Sequence, residues 1–234
     1  MTTLLLLPGL LCDEATWTAQ CAAFADVDCI VPSYGVLDSI EAMADSVLAA
    51  VSAPRLSIAG HSMGGRVALE IARRAPQRVE RLALLDTGID PLAPGAAGQA
   101  ERRRRFALLE TARSSGMREM GRDWAQGMVH PAHIDTPVFD AVLDMIERKT
   151  PAAFEAQITA LLARPDAREV LRGLRCPTLL LCGRQDAWSP LARHEEMHAL
   201  LPGSQLAVIE DAGHMCTMEQ PAAVTAVLRD WLRA

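Results

Sequence analysis

The sequence lacks any apolar run near the eighteen or so residues that span a bilayer, so the 234-residue chain reads as soluble. It lacks a basic excess as well. A formal charge of −6 leaves no electrostatic footprint for nucleic acid. The six cysteines follow neither a zinc nor a CxxC spacing. The opening "MTTLLLLPGLLCDEA" has no basic n-region, and Pro8-Gly9 and Asp13-Glu14 interrupt its apolar stretch, so it reads as a buried strand and not a secretory signal. Reduced thiols in a cytoplasmic protein are the expectation, with Cys12, Cys182 and Cys216 as small buried hydrophobes. Internal repeats and low-complexity tracts are missing too, and half of the residues are hydrophobic, which favours one well-packed globular unit over disorder.

What is present is a series of short apolar runs: Thr3 to Leu7, Cys29 to Val31, Leu56 to Ala59, Leu82 to Leu85, Thr178 to Cys182 and Leu206 to Ile209. They read as fully buried parallel strands. Helical patterns lie between most of them, including Gly65 to Arg74 and "SPLARHEEMHALL", where Ser189 is placed to cap and Pro190 to take the first helical position. This alternation predicts an α/β fold with a doubly wound, mostly parallel sheet. From about 88 to 172 the strand period disappears. "TPVFDAVLDMI" and "TPAAFEAQITALL" repeat apolar residues at helical spacing, so the region is expected to be an inserted helical lid, with the core formed by 1–87 and 173–234. The run "ERRRR" (Glu101 to Arg105) reads as a solvated helix face, with a subsite for an anionic substrate as the sharper alternative.

The stretch "LSIAGHSMGGRVAL" places Ser62 between Gly60 and Gly64, where an apolar run turns into a helical pattern. A serine hydroxyl is a poor nucleophile at neutral pH and needs a base within reach and a geometry that exposes its oxygen. A strand, tight turn and helix supply that geometry, and the helix N-terminus favours negative charge at the site. An acid and then a histidine should follow in the chain. Asp186, in "LLLCGRQD", and His214, in "EDAGHM", each fall in a loop just past a predicted strand. His214 would take the Ser62 proton, and Asp186 would fix its tautomer and stabilise its cation. Asp86, ending "LALLD", is a rival acid, better explained as a turn or cap residue; Glu210 and Asp211 suit a turn, and His61 a packed neighbour. The N–H groups of Leu10 and Met63 are the expected oxyanion donors, with Gly9 allowing the tight turn that aims the Leu10 amide inward.

With "LLPGLLCDEATW", "GHSMGG", "LLLCGRQD" and "EDAGHM" in this order, the chain resembles the α/β-hydrolase superfamily over nearly its whole length. It is similar to members with a helical cap: enol-lactone hydrolases, C-C hydrolases, carboxylesterases and carrier-protein methyl ester esterases. Two departures stand out. The usual "HG" of the oxyanion loop reads Pro8-Gly9, and the chain starts at the third strand of the family pattern. The resemblance implies a serine esterase acting on a small ester, lactone or related carbonyl compound through an acyl-enzyme, without a cofactor. C-C bond hydrolysis on the same three residues is the alternative. Trp124, Met128, Phe139 and Phe154 of the helical region are the candidate pocket residues, and His130 and His133 suit a loop.

Two other classes compete. "HEEMH", His194 to His198, matches the zinc-protease pattern HExxH, in which two histidines one helical turn apart hold the metal. A catalytic zinc needs a third ligand and an open cleft, whereas this helix should lie along the flank of a sheet, so its residues are expected on a helix surface and no metal is assigned. A ligand receptor without catalysis is the remaining reading, since fold does not imply function.

Overall fold

A computed structural model describes residues 3–234. Six strands form one sheet: β1 (Thr3–Leu7), β2 (Asp28–Ile30), β3 (Leu56–His61), β4 (Val79–Leu85), β5 (Thr178–Gly183) and β6 (Gln205–Ile209). Their order is β2-β1-β3-β4-β5-β6, and every neighbouring pair is parallel. After β1 the chain steps outward to β2 and then returns to the other side for β3. The strand order therefore reverses between β1 and β3, and a crevice opens beyond their carboxyl ends.

The helices are α1 (Thr18–Ala23), α2 (Ile40–Ala50), α3 (Met63–Arg74), α4 (Gly95–Ser115), α5 (Met117–Ala125), α6 (Pro137–Glu147), α7 (Pro151–Leu162), α8 (Arg168–Gly173), α9 (Leu191–Leu200), α10 (Cys216–Glu219) and α11 (Pro221–Arg233). Successive strand residues face opposite sides, and each side is covered. Leu4 and Leu6 pack with Leu179, Leu181, Trp17 and the Val224, Leu228 and Trp231 stripe of α11. Leu5 and Leu7 pack with Ile58, Leu82, Leu180 and the inner faces of α2, α3 and α9. Each fully buried leucine in such a layer contributes about 1.5–3 kcal/mol.

All six apolar runs are strands, but full burial holds for β1, β3, β5 and the second half of β4 only. β2 and β6 are the sheet edges and remain partly exposed. Between β4 and β5 the chain is helical, and α4, α5, α6 and α7 share one continuous core with the α3 side of the sheet. Thr150 caps α7 by accepting from the Ala153 N–H, whereas the Thr136 hydroxyl donates to the His133 carbonyl instead of capping α6. Ser189 does not cap α9. Pro190 occupies the cap position, and the Ser189 N–H donates to Asp186. Among the described residues no helix is long and apolar enough to cross a membrane.

A very tight backbone approach joins β1 to the start of α3. A Cβ added at Gly64 would lie 2.1 Å from the Leu7 carbonyl oxygen and 2.7 Å from that of Pro8, buried backbone atoms at and just past the end of β1. Gly64→Ala is therefore expected to cost about 3 kcal/mol, lowering Tm by roughly 6–12 °C in differential scanning calorimetry. An unchanged melting temperature would show that β1 and α3 can separate without cost.

Candidate active site

Ser62 is the residue between β3 and α3, and it has φ 54°, ψ −116°. A non-glycine residue in this region carries strain of about 1–3 kcal/mol. The neighbouring backbone over-determines it. The Ser62 N–H donates to the Leu85 carbonyl at 2.9 Å, and the Thr87 hydroxyl donates to the Ser62 carbonyl at 2.7 Å. A Cβ on Gly60 would come within 2.4 Å of the Gly64 carbonyl, so the two glycines permit the sharp reversal while the serine bears the positive φ. The outcome is a hydroxyl held at the carboxyl edge of the sheet.

The loops after β5 and β6 meet it there. His214 Nε2 lies 2.9 Å from Ser62 Oγ, and its Nδ1 lies 2.8 Å from Asp186 Oδ2. Asp186 Oδ1 accepts from the N–H groups of Trp188 (2.7 Å) and Ser189 (2.9 Å). Burial works to raise the Asp186 pKa, but the neighbouring His214 charge, their hydrogen bond and the two N–H donors outweigh it and hold the carboxyl at about 2. Asp186 is thus an anion across the neutral range. The His214 loop is fastened in turn, because Glu219 accepts from the N–H groups of Gly213 (2.9 Å) and Met215 (3.1 Å) through one oxygen and of His130 (2.6 Å) through the other.

A second buried layer lies behind. His61 is fully buried, and its Nε2–H donates to the His214 carbonyl at 2.7 Å. Burial, then the charge of His214, push its pKa down to about 3, so the ring is neutral. Asp86, just past β4, has φ 48°; its Oδ1 accepts from the Gly183 N–H at 2.9 Å, while its Oδ2 has no hydrogen-bond partner among the described residues. Burial, then the charge of Asp186, push the Asp86 carboxyl well above the ordinary carboxylate range. Two neighbouring carboxyl groups are therefore shifted in opposite directions: Asp186, facing His214, is held down, and Asp86 is pushed up.

The site opens into a cleft of about 520 Å3 whose walls include Leu10, Ser62, Met63, Trp124, Phe154, Trp188 and His214. Neither the Leu10 nor the Met63 N–H donates to an acceptor among the described residues. Gly9 is not in the left-handed region. Leu11 takes the positive φ of that loop at 59°, and Gly9 is needed because a Cβ there would approach His61 Nδ1 to 2.9 Å. Met128 lines a smaller adjoining cavity and accepts the His214 N–H on its carbonyl at 2.6 Å. Phe139 does not reach the cleft; it is buried in the packing of α6. A larger groove of about 700 Å3 runs along Val79, Cys176 and Pro177 at the opposite sheet edge, and no nucleophile with a hydrogen-bonded base lines it.

The two histidines of "HEEMH" part company. His194 is fully buried, contrary to its expected place on a helix surface, because α9 turns it inward to accept the Thr87 N–H on Nε2 at 3.3 Å. Burial pushes its pKa down to about 4. His198 Nδ1 pairs with the Ser204 hydroxyl at 2.9 Å. Among the described residues no three His, Cys, Asp or Glu side chains form a group that could hold a metal ion. Burial also raises the Cys12 thiol to about 11 and Cys182 to about 12, so neither is a thiolate at neutral pH.

Several residues of the site carry no short-range signal. Trp188 tilts over His214 at 5.2 Å between ring centroids and over Trp124 at 5.1 Å. Gln157 of α7 accepts the Leu11 N–H at 2.8 Å, fixing the loop that carries Leu10. Arg66, Arg164 and Arg193 enter the cleft from three separate segments. The "DAW" after β5 could have drawn attention to Trp188; the others depend on contacts made by the folded chain.

A model of the alpha/beta hydrolase family matches residues 4–227. A pimeloyl-(acyl-carrier protein) methyl ester esterase of Neisseria meningitidis serogroup C is 31% identical over 198 residues, 82% of this chain and 75% of that protein. Among solved structures, a thermophilic esterase from Thermogutta terrifontis, with malate bound, is 31% identical with a TM-score of 0.89, covering 100% of this chain and 90% of its own. The enol-lactonase from Burkholderia xenovorans LB400 shares the fold, with a TM-score of 0.85 at 21% identity over 100% of this chain and 92% of that one.

The opposed carboxyl groups give opposite pH dependences. Asp186, depressed on folding, contributes stability that is full above about pH 4 and lost as pH falls through about 2. Asp86, raised on folding, contributes most below about pH 4 and loses that contribution as pH rises. Asp86→Asn keeps the oxygen that accepts from Gly183 and removes the titration. Its Tm relative to the parent should therefore rise between about pH 4 and pH 8 in thermal melts. A difference independent of pH would mean that Asp86 is ionised in the fold.

Proposed function

The chain belongs to the alpha/beta hydrolase family, and from that premise we propose that it hydrolyses a small carboxylic ester, with Ser62 as nucleophile, His214 as general base and Asp186 as the acid that orients it. One observation carries this reading: an unbroken line of hydrogen bonds, 2.9 Å from Ser62 Oγ to His214 Nε2 and 2.8 Å from Nδ1 to Asp186, at the mouth of a cleft. The two relatives named as esterases support the ester class, and a lactone carbonyl would meet the same groups.

The chemistry follows from where protons can go. Ser62 Oγ attacks the carbonyl carbon while its proton passes to His214 Nε2, and the buried Asp186 anion stabilises the imidazolium. The oxygen of the tetrahedral intermediate gains negative charge, which the free N–H groups of Leu10 and Met63 meet as hydrogen-bond donors. Collapse breaks the ester C–O bond, and the leaving alkoxide takes the proton from His214. Water then attacks the acyl-enzyme, gives its proton to His214 and releases the acid, and the proton returns to Ser62. Trp124, Phe154 and Trp188 supply the apolar walls that exclude bulk water from these steps.

Ser62→Ala is expected to lower kcat on p-nitrophenyl acetate by roughly 10⁴-fold or more. Its Tm should stay near that of the parent, because alanine meets the same backbone strain and the hydroxyl is only partly buried. A fluorophosphonate should label Ser62 in the parent, as read by peptide mass spectrometry. Retained turnover in the variant, or an active parent labelled elsewhere, would overturn the assignment.

A further inference from the structure

The cleft beside Ser62 is lined by five guanidinium groups, those of Arg66, Arg104, Arg105, Arg164 and Arg193, and by one carboxylate, Glu101. This runs against a chain with a net charge of −6. The single carboxylate is already shared. Glu101 receives Arg164 through both of its oxygens, at 2.9 and 3.0 Å, and Arg105 at 2.9 Å. Among the described residues, Arg66 and Arg193 donate only to backbone carbonyls, those of Asp90 at 2.9 Å and Trp188 at 3.2 Å, which accept a hydrogen bond but neutralise no charge. Arg104, at the exposed rim, has no carboxylate within salt-bridge distance among the described residues.

The arrangement is built into the packing. A Cβ on Gly88 would lie 2.6 Å from Arg193 Cδ, so the bare glycine gives the Arg193 stem its path along the cleft wall. Arg66 stands on α3 only four residues beyond Ser62, one helical turn away. Burial first, and then the charges of Arg164 and Arg193, push the Arg66 pKa down to about 9. The nearby charges of Asp90 and Glu101 offset this only in part, and because a guanidinium does not give up its proton at neutral pH, Arg66 remains a cation in a crowded positive cluster.

We propose that Arg66, Arg105, Arg164 and Arg193 form a subsite for a carboxylate carried by the substrate away from its scissile ester, so that the preferred substrate is a half-ester of a dicarboxylic acid. The planar fork of Arg164 on Glu101 shows the pairing such a group would make, and Arg66 and Arg193 hold the donors for a second one. The neutral aromatic walls accept the carbon chain between the two ends. A cleft with uncompensated positive charge and low-dielectric walls also concentrates anionic substrates from solution. This inference rests on the ester-hydrolase reading for the chemistry, but not for the binding.

The test separates the two. Binding is measured by calorimetry on Ser62→Ala with the monomethyl esters of straight-chain diacids from succinate to suberate, each beside its dimethyl ester. At least one half-ester should bind roughly tenfold or more tightly than its diester, as charge-assisted hydrogen bonds imply. That preference should shrink as salt is raised and collapse in Arg66→Gln and Arg193→Gln made in the same background. Gly88→Ala, which displaces Arg193 without removing a charge, should also reduce it. In the parent, Arg66→Gln should lower kcat/KM roughly tenfold more for the half-ester than for the diester. Equal affinity for every pair, or a preference that survives salt and the arginine variants, overturns the subsite. Half-ester binding with no hydrolysis of any ester would instead sink the hydrolase reading and leave the subsite standing.

Discussion

Everything in the site depends on how closely β1, β3 and α3 approach one another. With no side chain at Gly64 the helix start can rest on the carbonyls of Leu7 and Pro8, and with none at Gly60 the strand can turn back beneath it. The reversal leaves a single residue between strand and helix, and that residue must take a positive φ. Ser62 carries strain of about 1–3 kcal/mol, a cost offset by the buried leucines of the strands on either side. The strain has a geometric return: the hydroxyl points out of the sheet edge, where the loops after β5 and β6 can reach it, instead of into the core.

The electrostatic design follows from burial. Two carboxyl groups, Asp86 and Asp186, end neighbouring strands and feel each other's charge, and both cannot remain ionised cheaply in one water-poor space. The asymmetry in partners decides which is held down and which is pushed up. Asp186 has His214 and two backbone N–H donors, whereas Asp86 has one N–H and an oxygen with no partner. His61 remains neutral for a related reason, being fully buried against the backbone of the His214 loop. A charge placed on either Asp86 or His61 would compete with the one the Asp186–His214 pair uses.

Much of the fold could be read in the sequence because the strands are short apolar runs with helical spacing between them, a signal that survives without knowledge of partners. Ser62, Asp186 and His214 were legible for the same reason, each lying just past a strand in a parallel sheet. The misreadings have a common physical origin. The chain does turn at Gly9, whose carbonyl accepts the Cys12 N–H at 3.1 Å, but the glycine is required for space beside His61 and not for the turn's backbone angles, and only the fold reveals who the neighbour is. His194 sits on a weakly amphipathic helix with charged neighbours, so local pattern put it at the surface, while its packing against the Thr87 backbone buries it. Arg66, Arg164 and Arg193 carry no local signal in the sequence. Their meaning lies in converging on one cleft from positions as far apart as 66 and 193, which no local pattern encodes.

The helical region between β4 and β5 is more than a wall. Asp13, in the loop after β1, pairs with Arg148 at 3.0 Å and Lys149 at 2.8 Å; Gln157 holds the Leu11 amide; and Glu219 bridges His130 to the His214 loop, whose own amide bonds to the Met128 carbonyl. Both the loop bearing Leu10 and the loop bearing His214 are thus fastened directly to the segment that supplies Trp124, Phe154 and Arg164 to the cleft. Individual exposed ion pairs contribute little, but buried side chain to backbone bonds such as those of Gln157 and Glu219 leave an unsatisfied group costing about 1–3 kcal/mol when broken. On the proposed mechanism, substrate selection and the positioning of Ser62 and His214 are therefore not independent layers. A change that reshapes the helical wall must either preserve these bonds or shift the loops bearing Leu10 and His214 with it, which on the proposed mechanism couples KM to kcat across this part of the chain.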